Sequence, residues 1–209
     1  MEVQLRRFFL SVHELMRANH GTVISCSGDS AVVMWRGRNI LPACKAALDL
    51  QMSPELTTTQ VMRMGYWLLG NIGDETIRTY NAVGPLQYTV RPMQALFDGK
   101  HSVILLTERE QDAINSEFTC LPYGYITTGG SLQTVFCLLP GESGDQNWMY
   151  RVEDLASHST MRDCWSAYMS GRLTQARDLL LQMTGIPEWY RNHISNLMGS
   201  AEIDEGVKG

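Results

Sequence analysis

The sequence predicts an α/β sandwich followed by a helical extension. Strand-like and helix-like segments alternate as far as about residue 140, which is typical of helices packed on a sheet. Every segment from about residue 148 onward has helical character. The chain has 209 residues, enough for one domain with a sizeable core and an appendage.

The first half of the chain opens with a helix and a hairpin. Apolar residues recur at helical spacing over residues 2–19, and Gly21 supplies a stop for this helix. The segment TVISCSGDSAVVMW predicts two strands around the turn 27–30. A second helix in ILPACKAALDLQ precedes VMRMGYWLLGNIG, which predicts a strand running into a loop. TIRTYNAVG predicts a further short strand.

The second half completes the predicted sheet. PLQYTVRPMQALFDG predicts a weak helix that Pro92 interrupts, and SVILLT predicts a buried strand. Thr107 and Glu110 have the spacing of a capping box at the start of the next helix. FTCLPYGYI and SLQTVFCLLP predict two more strands, which residues 127–130 join.

The tail predicts a helical hairpin packed on the domain. It contains the aromatic–Gly–Ala order of one tetratricopeptide-type helix-turn-helix repeat: Trp165, Tyr168, Gly171, Ala176 and Leu179. One copy of such a repeat cannot stack into a solenoid. We therefore expect a helical extension over 148–200 and a disordered tail over 201–209.

Composition argues against several classes of protein. The net charge is −5, the isoelectric point is about 5.5 and no segment clusters Lys or Arg, so neither nucleic acid nor an anionic membrane is an expected partner. No segment approaches the roughly 20 apolar residues of a membrane span. The five cysteines are scattered without C-x-x-C spacing, which predicts free thiols in a reducing, cytoplasmic setting and argues against zinc.

The order of these segments resembles the class III adenylyl/guanylyl cyclase homology domain. HGTVISCSGDSAVVMW is similar to the family's His-Gly-Gly helix end and its K-x-x-GD-x-x-M-A-x-W/F hairpin. GYWLLGNIGDETIRTYNAVG (65–84) matches G-x-V-x-x-G-N-I-G followed by R-x-x-Y-x-x-x-G. ACKAALDLQ, VILLTERE and GGSLQTVFCLL fit the remaining segments. Over residues 5–140 the resemblance implies an α+β, ferredoxin-like sandwich with helices on one face of a mostly antiparallel sheet, usually working as a dimer.

The resemblance also implies a site for two divalent metal ions, held by two aspartates. Asp29 corresponds to one of them; its alternative role is that of a hairpin-turn residue after Gly28. The other aspartate belongs to a first strand that has no counterpart in the cyclase-like region 1–142. That strand is central in the fold, so its absence predicts unpaired neighbours unless an N-terminal continuation, another segment or another chain fills the gap.

The family's nucleotide-reading and phosphate-binding positions fall on uncharged residues. Its purine-reading Lys corresponds to Ser25, and the partner of that Lys corresponds to Asn81. Its phosphate-binding Lys aligns with Thr128. The backbone of 70–73 has the composition to bind phosphate through N–H groups, but a tight loop between strands is the simpler interpretation.

The family's transition-state Asn and Arg, in N-x-x-x-R, correspond to Tyr88 and Pro92. Arg91 lies one residue away, which turns it about 100° around a helix and off the required face. Phosphoryl-transfer catalysis depends on positioning and electrostatics, so these losses predict a rate lower by many orders of magnitude.

The leading hypothesis is a catalytically inactive cyclase-homology domain that serves as a dimerisation or regulatory module, with a second copy or another cyclase-type domain as partner and no cofactor. One alternative is a cyclase that uses ATP or GTP with Mg²⁺ or Mn²⁺ and needs a complementary partner domain. Another alternative is a non-catalytic nucleotide-sensing module.

Overall fold

The computed structural model describes residues 2–53, 56–76, 78–85, 87–139 and 155–207. Within them the helices are α1 (Glu2–Ala18), α2 (Leu41–Gln51), α3 (Gln87–Gln94), α4 (Glu108–Ile114), α5 (Leu155–Met169), α6 (Leu173–Gln182) and α7 (Glu188–Val207). The strands are β1 (Thr22–Ser27), β2 (Ser30–Met34), β3 (Thr59–Val61), β4 (Leu68–Gly73), β5 (Arg78–Val83), β6 (Val103–Thr107), β7 (Cys120–Thr128) and β8 (Ser131–Leu138).

The main sheet has four strands in the order β3-β6-β8-β7. Strand β3 runs parallel to β6, whereas β6–β8 and β8–β7 are antiparallel. Strands β1 and β2 form a separate antiparallel hairpin, and β4 and β5 form another. The predicted α+β architecture, with helices packed on a mostly antiparallel sheet, is confirmed.

Helices cover both faces of the main sheet, where helices on one face were expected. All five residues of β6 are buried, and they alternate between the two faces because successive side chains of a strand point in opposite directions. Val103 and Leu105 pack with Met93 of α3 and with helices α5 to α7. Ile104 and Leu106 pack against α2 and α4. The tail and the sheet therefore share one hydrophobic core.

A third cluster joins α1 and α2 to the β1–β2 hairpin. Val12 and Met16 of α1 pack against Ala46 and Leu50 of α2, and the hairpin contributes partly buried residues such as Val33. Helix α2 also packs on the main sheet through its other side. It therefore bridges the sheet and the β1–β2 hairpin.

The end of α1 differs in detail from the prediction. Gly21 was expected to stop the helix, but His20 is the residue with the left-handed backbone, at φ 63°. The N–H of Gly21 donates to the carbonyl of Met16 (2.7 Å) and that of His20 to the carbonyl of Arg17 (3.0 Å), which is a Schellman motif. Gly21 is needed for space, because a Cβ there would lie 2.7 Å from the Trp35 ring.

Four other local features differ from the prediction. The 70–73 segment is strand β4, paired with β5, and not a loop. Pro92 does not interrupt its helix, because α3 continues through it to Gln94. Helix α7 continues to Val207, so residues 201–207 are helical where a disordered tail was expected. The tail also has three helices rather than a hairpin alone, and the predicted boundary between 142 and 148 lies outside the described residues.

The described strands form three separate sheets, and the missing first strand stays a prediction. In the described part of the chain, β1–β2 and β4–β5 form no hydrogen-bonded ladder with the four main strands. Strand β3 therefore pairs with β6 along one edge only. The described helices include none with the length and apolar character needed to cross a membrane.

Candidate functional site

Asp29 lies at the tip of the β1–β2 hairpin. The loop between the paired residues Ser27 and Ser30 is Gly28-Asp29, and Gly28 has a φ of 59°. Glycine with positive φ at the first loop position suits a two-residue hairpin turn. The hydroxyl of Ser30 donates to the carbonyl of Ser27 (2.9 Å), which closes the turn. Asp29 is exposed, and its surroundings are those of a turn residue.

No metal cluster accompanies this aspartate in the part of the chain that the structure describes. Nowhere in that part do three or more His, Cys, Asp or Glu side chains come close enough together to hold an ion. A lone carboxylate binds Mg²⁺ weakly, because the ion gives up its waters only where several ligands converge.

Ser25 and Asn81 lie on strands that approach each other, since β5 contacts β1. Ser25 is half-buried, follows a bulge in β1 and pairs with Val32. Asn81 pairs with Gly70, and its Oδ1 accepts the N–H of Ala82 at 2.8 Å. That carboxamide oxygen is therefore engaged by the backbone of its own strand.

Helix α3 presents Tyr88 and Pro92 differently. The Tyr88 side chain is 78% exposed, whereas Pro92 is half-buried beside the buried Met93. Arg91 is exposed. Thr128 ends β7, and its carbonyl accepts the Ser131 hydroxyl at 3.0 Å across a Gly-Gly turn. None of the five compared positions, from Ser25 to Thr128, carries a charge that would stabilise a triphosphate.

The β4–β5 hairpin carries an apolar face that the sequence prediction missed. Cross-strand pairs place Leu68 opposite Val83 and Ile72 opposite Thr79, all on one face of the hairpin. Leu68, Ile72 and Val83 are 71%, 41% and 39% exposed. Gly70 lies between them, and nothing is within 4 Å of where its Cβ would be. We call Leu68, Gly70, Ile72, Thr79, Asn81 and Val83 the hairpin face.

The base of this hairpin is held by close packing. A Cβ on Gly84 would lie 2.7 Å from the ring of Trp67, so the indole lies directly on the glycine backbone. Only a residue without a side chain permits this approach. The contact between Trp67 and Gly84, which we call the hairpin base, therefore holds the two ends of the hairpin together.

A buried ion pair lies beside that base. The Arg63 Nε is 3.5 Å from Glu110 Oε1, and the two side chains are 7% and 0% exposed. Glu110 completes the predicted capping box by accepting the N–H of Thr107 at 3.0 Å. The pairing of Arg63 with Glu110 could not be predicted, because it joins side chains that are far apart in the sequence.

Burial also shifts the pKa of thiols in the core. It raises the pKa of Cys44 to about 12 and that of Cys164 to about 11, because a thiolate loses its hydration there. The pKa of Cys137 is raised by burial as well. These thiols are packing groups.

Solved structures share this architecture, although no family model and no curated protein matches the chain. The adenylyl cyclase CyaB from P. aeruginosa has a TM-score of 0.56 at 14% identity, over 70% of this chain and 84% of that chain. The guanylate cyclase domain of RhGC from Catenaria anguillulae, in complex with GTP, has a TM-score of 0.54 at 16% identity, over 66% and 83%. The chain has the class III nucleotide cyclase fold.

A dimeric guanylyl cyclase domain with this cyclase fold is also similar. It belongs to the RhoGC fusion protein from Blastocladiella emersonii, with a TM-score of 0.51 at 16% identity, over 66% of this chain and 83% of that chain. At these identities the likeness concerns the fold, and one fold supports many functions. Activity has to be argued from the side chains that the cyclase fold carries here.

Proposed function

We propose that this chain is a catalytically inactive cyclase-homology domain that dimerises with a second copy of itself and serves as a regulatory module in cyclic-nucleotide signalling. The observation that carries the proposal is the exposure of Leu68, Ile72 and Val83 on the hairpin face, on a hairpin that forms no ladder with the main sheet and contacts β1 through β5. The two strands of the hairpin contain no buried residue.

The lack of cationic side chains and of a second metal ligand supports the absence of catalysis. Phosphoryl transfer to form a cyclic nucleotide needs metal ions and cationic side chains around the phosphates. Here the corresponding positions are Ser25, Asn81, Tyr88, Pro92 and Thr128, and Asp29 is a single exposed carboxylate on a turn. This set of side chains offers neither the two-metal site nor the cations.

The exposed apolar side chains of the hairpin face support a dimer. A two-stranded hairpin is only marginally stable in water, and a contiguous exposed apolar face marks a contact site. Covering a Leu, Ile or Val side chain fully contributes about 1.5–3 kcal/mol. A two-fold interface uses the same patch on both subunits. A symmetric contact between two copies would therefore cover Leu68, Ile72 and Val83 of each copy.

Sedimentation analysis of the purified chain tests the dimer. We expect a concentration-dependent dimer, and we expect Leu68→Asp to raise its dissociation constant by on the order of a hundredfold, because the carboxylate would be buried unpaired. Leu181→Asp is the matched control, since Leu181 is 74% exposed on α6 and lies outside the hairpin. Equal effects of the two substitutions, or a wild type that stays monomeric, would overturn the proposal.

A cyclase assay tests the absence of catalysis. The wild-type chain is incubated with ATP or GTP and with Mg²⁺ or Mn²⁺, and we expect no cyclic nucleotide. Formation of cyclic nucleotide by the homodimer would contradict inactivity. Activity that appears only with a complementary cyclase domain, and that Asp29→Ala abolishes, would establish the partner-dependent enzyme instead.

A further inference from the structure

We propose that Glu110 is a positioning residue that, together with Arg63, fixes the direction in which the β4–β5 hairpin leaves the domain. The inference deepens the proposed function, because the hairpin face is the surface that a second copy would cover. It rests on a set of buried contacts that neither the capping box nor the core packing requires.

Glu110 joins helix α4 to the chain that leads into the hairpin. Its Oε2 accepts the N–H of Thr107 at 3.0 Å and the Thr107 hydroxyl at 2.6 Å. Its Oε1 accepts the N–H of Met64 at 2.7 Å. A capping box needs only the Thr107 contacts, so the bond to Met64 is an additional tie.

Arg63 extends the same cluster to helix α3. Its Nη1 donates to the Thr89 hydroxyl and contacts Met93 Sδ at 3.8 Å. Its Nε faces Glu110 Oε1 at 3.5 Å and has no hydrogen-bond partner. The charge of Glu110 is therefore what keeps this buried guanidinium in place, since a buried charge is costly unless it is paired.

The two connections of the hairpin meet at this ion pair. The incoming segment 62–67 lies between β3 and β4; Met62 donates its N–H to the Leu105 carbonyl at 2.9 Å, and the N–H of Met64 is held by Glu110. The outgoing chain leads into α3, which Arg63 holds through Thr89. The incoming segment is thus tied to the Glu110 carboxylate directly, and the outgoing chain is tied to Arg63, whose charge Glu110 pairs.

Buried side-chain contacts of this kind fix the direction of the hairpin and make no contact of their own with a second copy. The Arg63–Glu110 pair lies in the core, away from the exposed face that would touch a second copy. Two ties on opposite sides of the base restrict how the hairpin rotates relative to the main sheet. A hairpin that samples several directions presents a correct two-fold contact for a smaller fraction of the time, which weakens the apparent affinity by that fraction.

The decisive variant is Glu110→Gln, which keeps a hydrogen-bond acceptor and removes the charge. We expect the dimer dissociation constant to rise about tenfold and amide hydrogen exchange to accelerate over 62–73 and 87–94. Exchange in β6 and β8 should stay slow. Glu108→Gln is the control, since Glu108 is the exposed acid in the same first turn of α4.

A general loss of stability has to be separated from a loss of positioning. Ile114→Val shortens a buried side chain of α4 that packs in the core and does not belong to the ion-pair cluster. We expect it to lower stability without changing the dimer affinity or the exchange over 62–73. Equal effects of Ile114→Val and Glu110→Gln on the affinity would overturn the inference.

A milder variant covers the case in which Glu110→Gln does not fold. Thr89→Val removes only the hydroxyl that accepts from Arg63. We expect faster exchange in 87–94 and a smaller rise in the dissociation constant, whereas unchanged exchange there would contradict the inference. If the wild type is monomeric, the proposed function fails, yet the exchange measurements on the monomer still decide whether Glu110 holds the hairpin base.

Discussion

The main sheet and the β4–β5 hairpin contain similar strand residues but differ in what stabilises them. Every residue of β6 is buried, with α2 and α4 on one face and α3 and α5 to α7 on the other. No residue of β4 or β5 is buried. The sheet is therefore covered by the domain's own helices, whereas the hairpin is held by its base and by the contact of β5 with β1, and the exposed residues of its face remain for a partner.

Buried and exposed strands of the cyclase fold give different information about the protein. Covered strands specify a stable domain and say little about function, because their side chains are fully used in packing. Uncovered strands cost stability if nothing binds them, so their apolar side chains point to a partner. The largest effects of substitution should therefore lie in the sheet for folding and in the hairpin for association.

Thiol reactivity gives the largest expected contrast between buried and exposed positions of the domain. Cys26 is exposed on the β1–β2 hairpin, whereas Cys137 is buried in β8 and burial raises its pKa. For Cys44, a pKa of about 12 against the ordinary 9.0 lowers the thiolate fraction about a thousandfold. We expect a thiol reagent at pH 8 to label Cys26 rapidly in the native protein and the buried thiols slowly.

Mass spectrometry of the labelled chain identifies the site, and Cys26→Ser should remove the rapid phase. Rapid labelling of Cys44 or Cys137 under native conditions would show that the cover of the main sheet opens readily.

Truncation of one leucine in each region tests the comparison in terms of stability. Leu105→Ala leaves a cavity in the main sheet and should lower the free energy of unfolding by about 2–5 kcal/mol. Leu68→Ala removes a side chain that is 71% exposed and should change the stability of the monomer by no more than about 0.5 kcal/mol. Denaturant unfolding at a concentration that keeps the chain monomeric measures both. Similar losses in the two variants would refute the comparison.

Two glycines of the hairpin test whether its base or its strands give it rigidity. Gly84→Ala should cost about 1–3 kcal/mol, because its Cβ would lie 2.7 Å from the Trp67 ring and force the indole to move. Gly70→Ala has open space around it and should leave hairpin exchange in the monomer unchanged or slower. Amide hydrogen exchange over 68–73 distinguishes them. Faster exchange in Gly70→Ala than in Gly84→Ala would contradict a base-held hairpin.

The sequence predicted those parts of the fold that depend on local patterns. The Thr107–Glu110 capping box, the Gly28-Asp29 turn and the buried run of β6 depend on residues that are close in the chain, and all three are confirmed. The 70–73 segment was predicted as a loop because glycine is rare within strands. Its pairing with Asn81 and its neighbours overrides that preference, and such pairing is a tertiary property.

The candidate site was harder to predict than the fold. Leu68, Ile72 and Val83 have the apolar alternation of a half-buried strand, and nothing in that pattern tells whether the domain itself or a partner covers the face. The tie between Met64 and Glu110 joins residues 46 positions apart. Such contacts are specified by the packing of elements, which a single sequence does not reveal.

The smallest expected effect concerns the helical cover of the main sheet. His193 of α7 stacks on Tyr123 of β7 with ring centroids 3.9 Å apart, and its Nε2 lies 2.8 Å from the Tyr123 carbonyl oxygen. Burial lowers the pKa of His193 from 6.5, although the hydrogen bond to the Tyr123 carbonyl and, to a smaller extent, the charge of Asp98 oppose that shift. Between the lowered pKa and about 6.5 the unfolded chain binds more protons than the folded chain, so stability should fall as the pH decreases through this range.

The measurement is the free energy of unfolding at pH 7.5 and 5.5. We expect His193→Gln to reduce the fall, because the substituted chain has no proton to take up at this position, whereas His13→Gln on the exposed side of α1 should leave the fall unchanged. An undiminished pH dependence in His193→Gln would mean that protonation of this imidazole does not oppose docking of α7. In that case the aromatic stack tolerates the imidazolium charge, and α7 stays docked through its other contacts, among them the hydrogen bond that the Tyr190 hydroxyl donates to the Pro122 carbonyl.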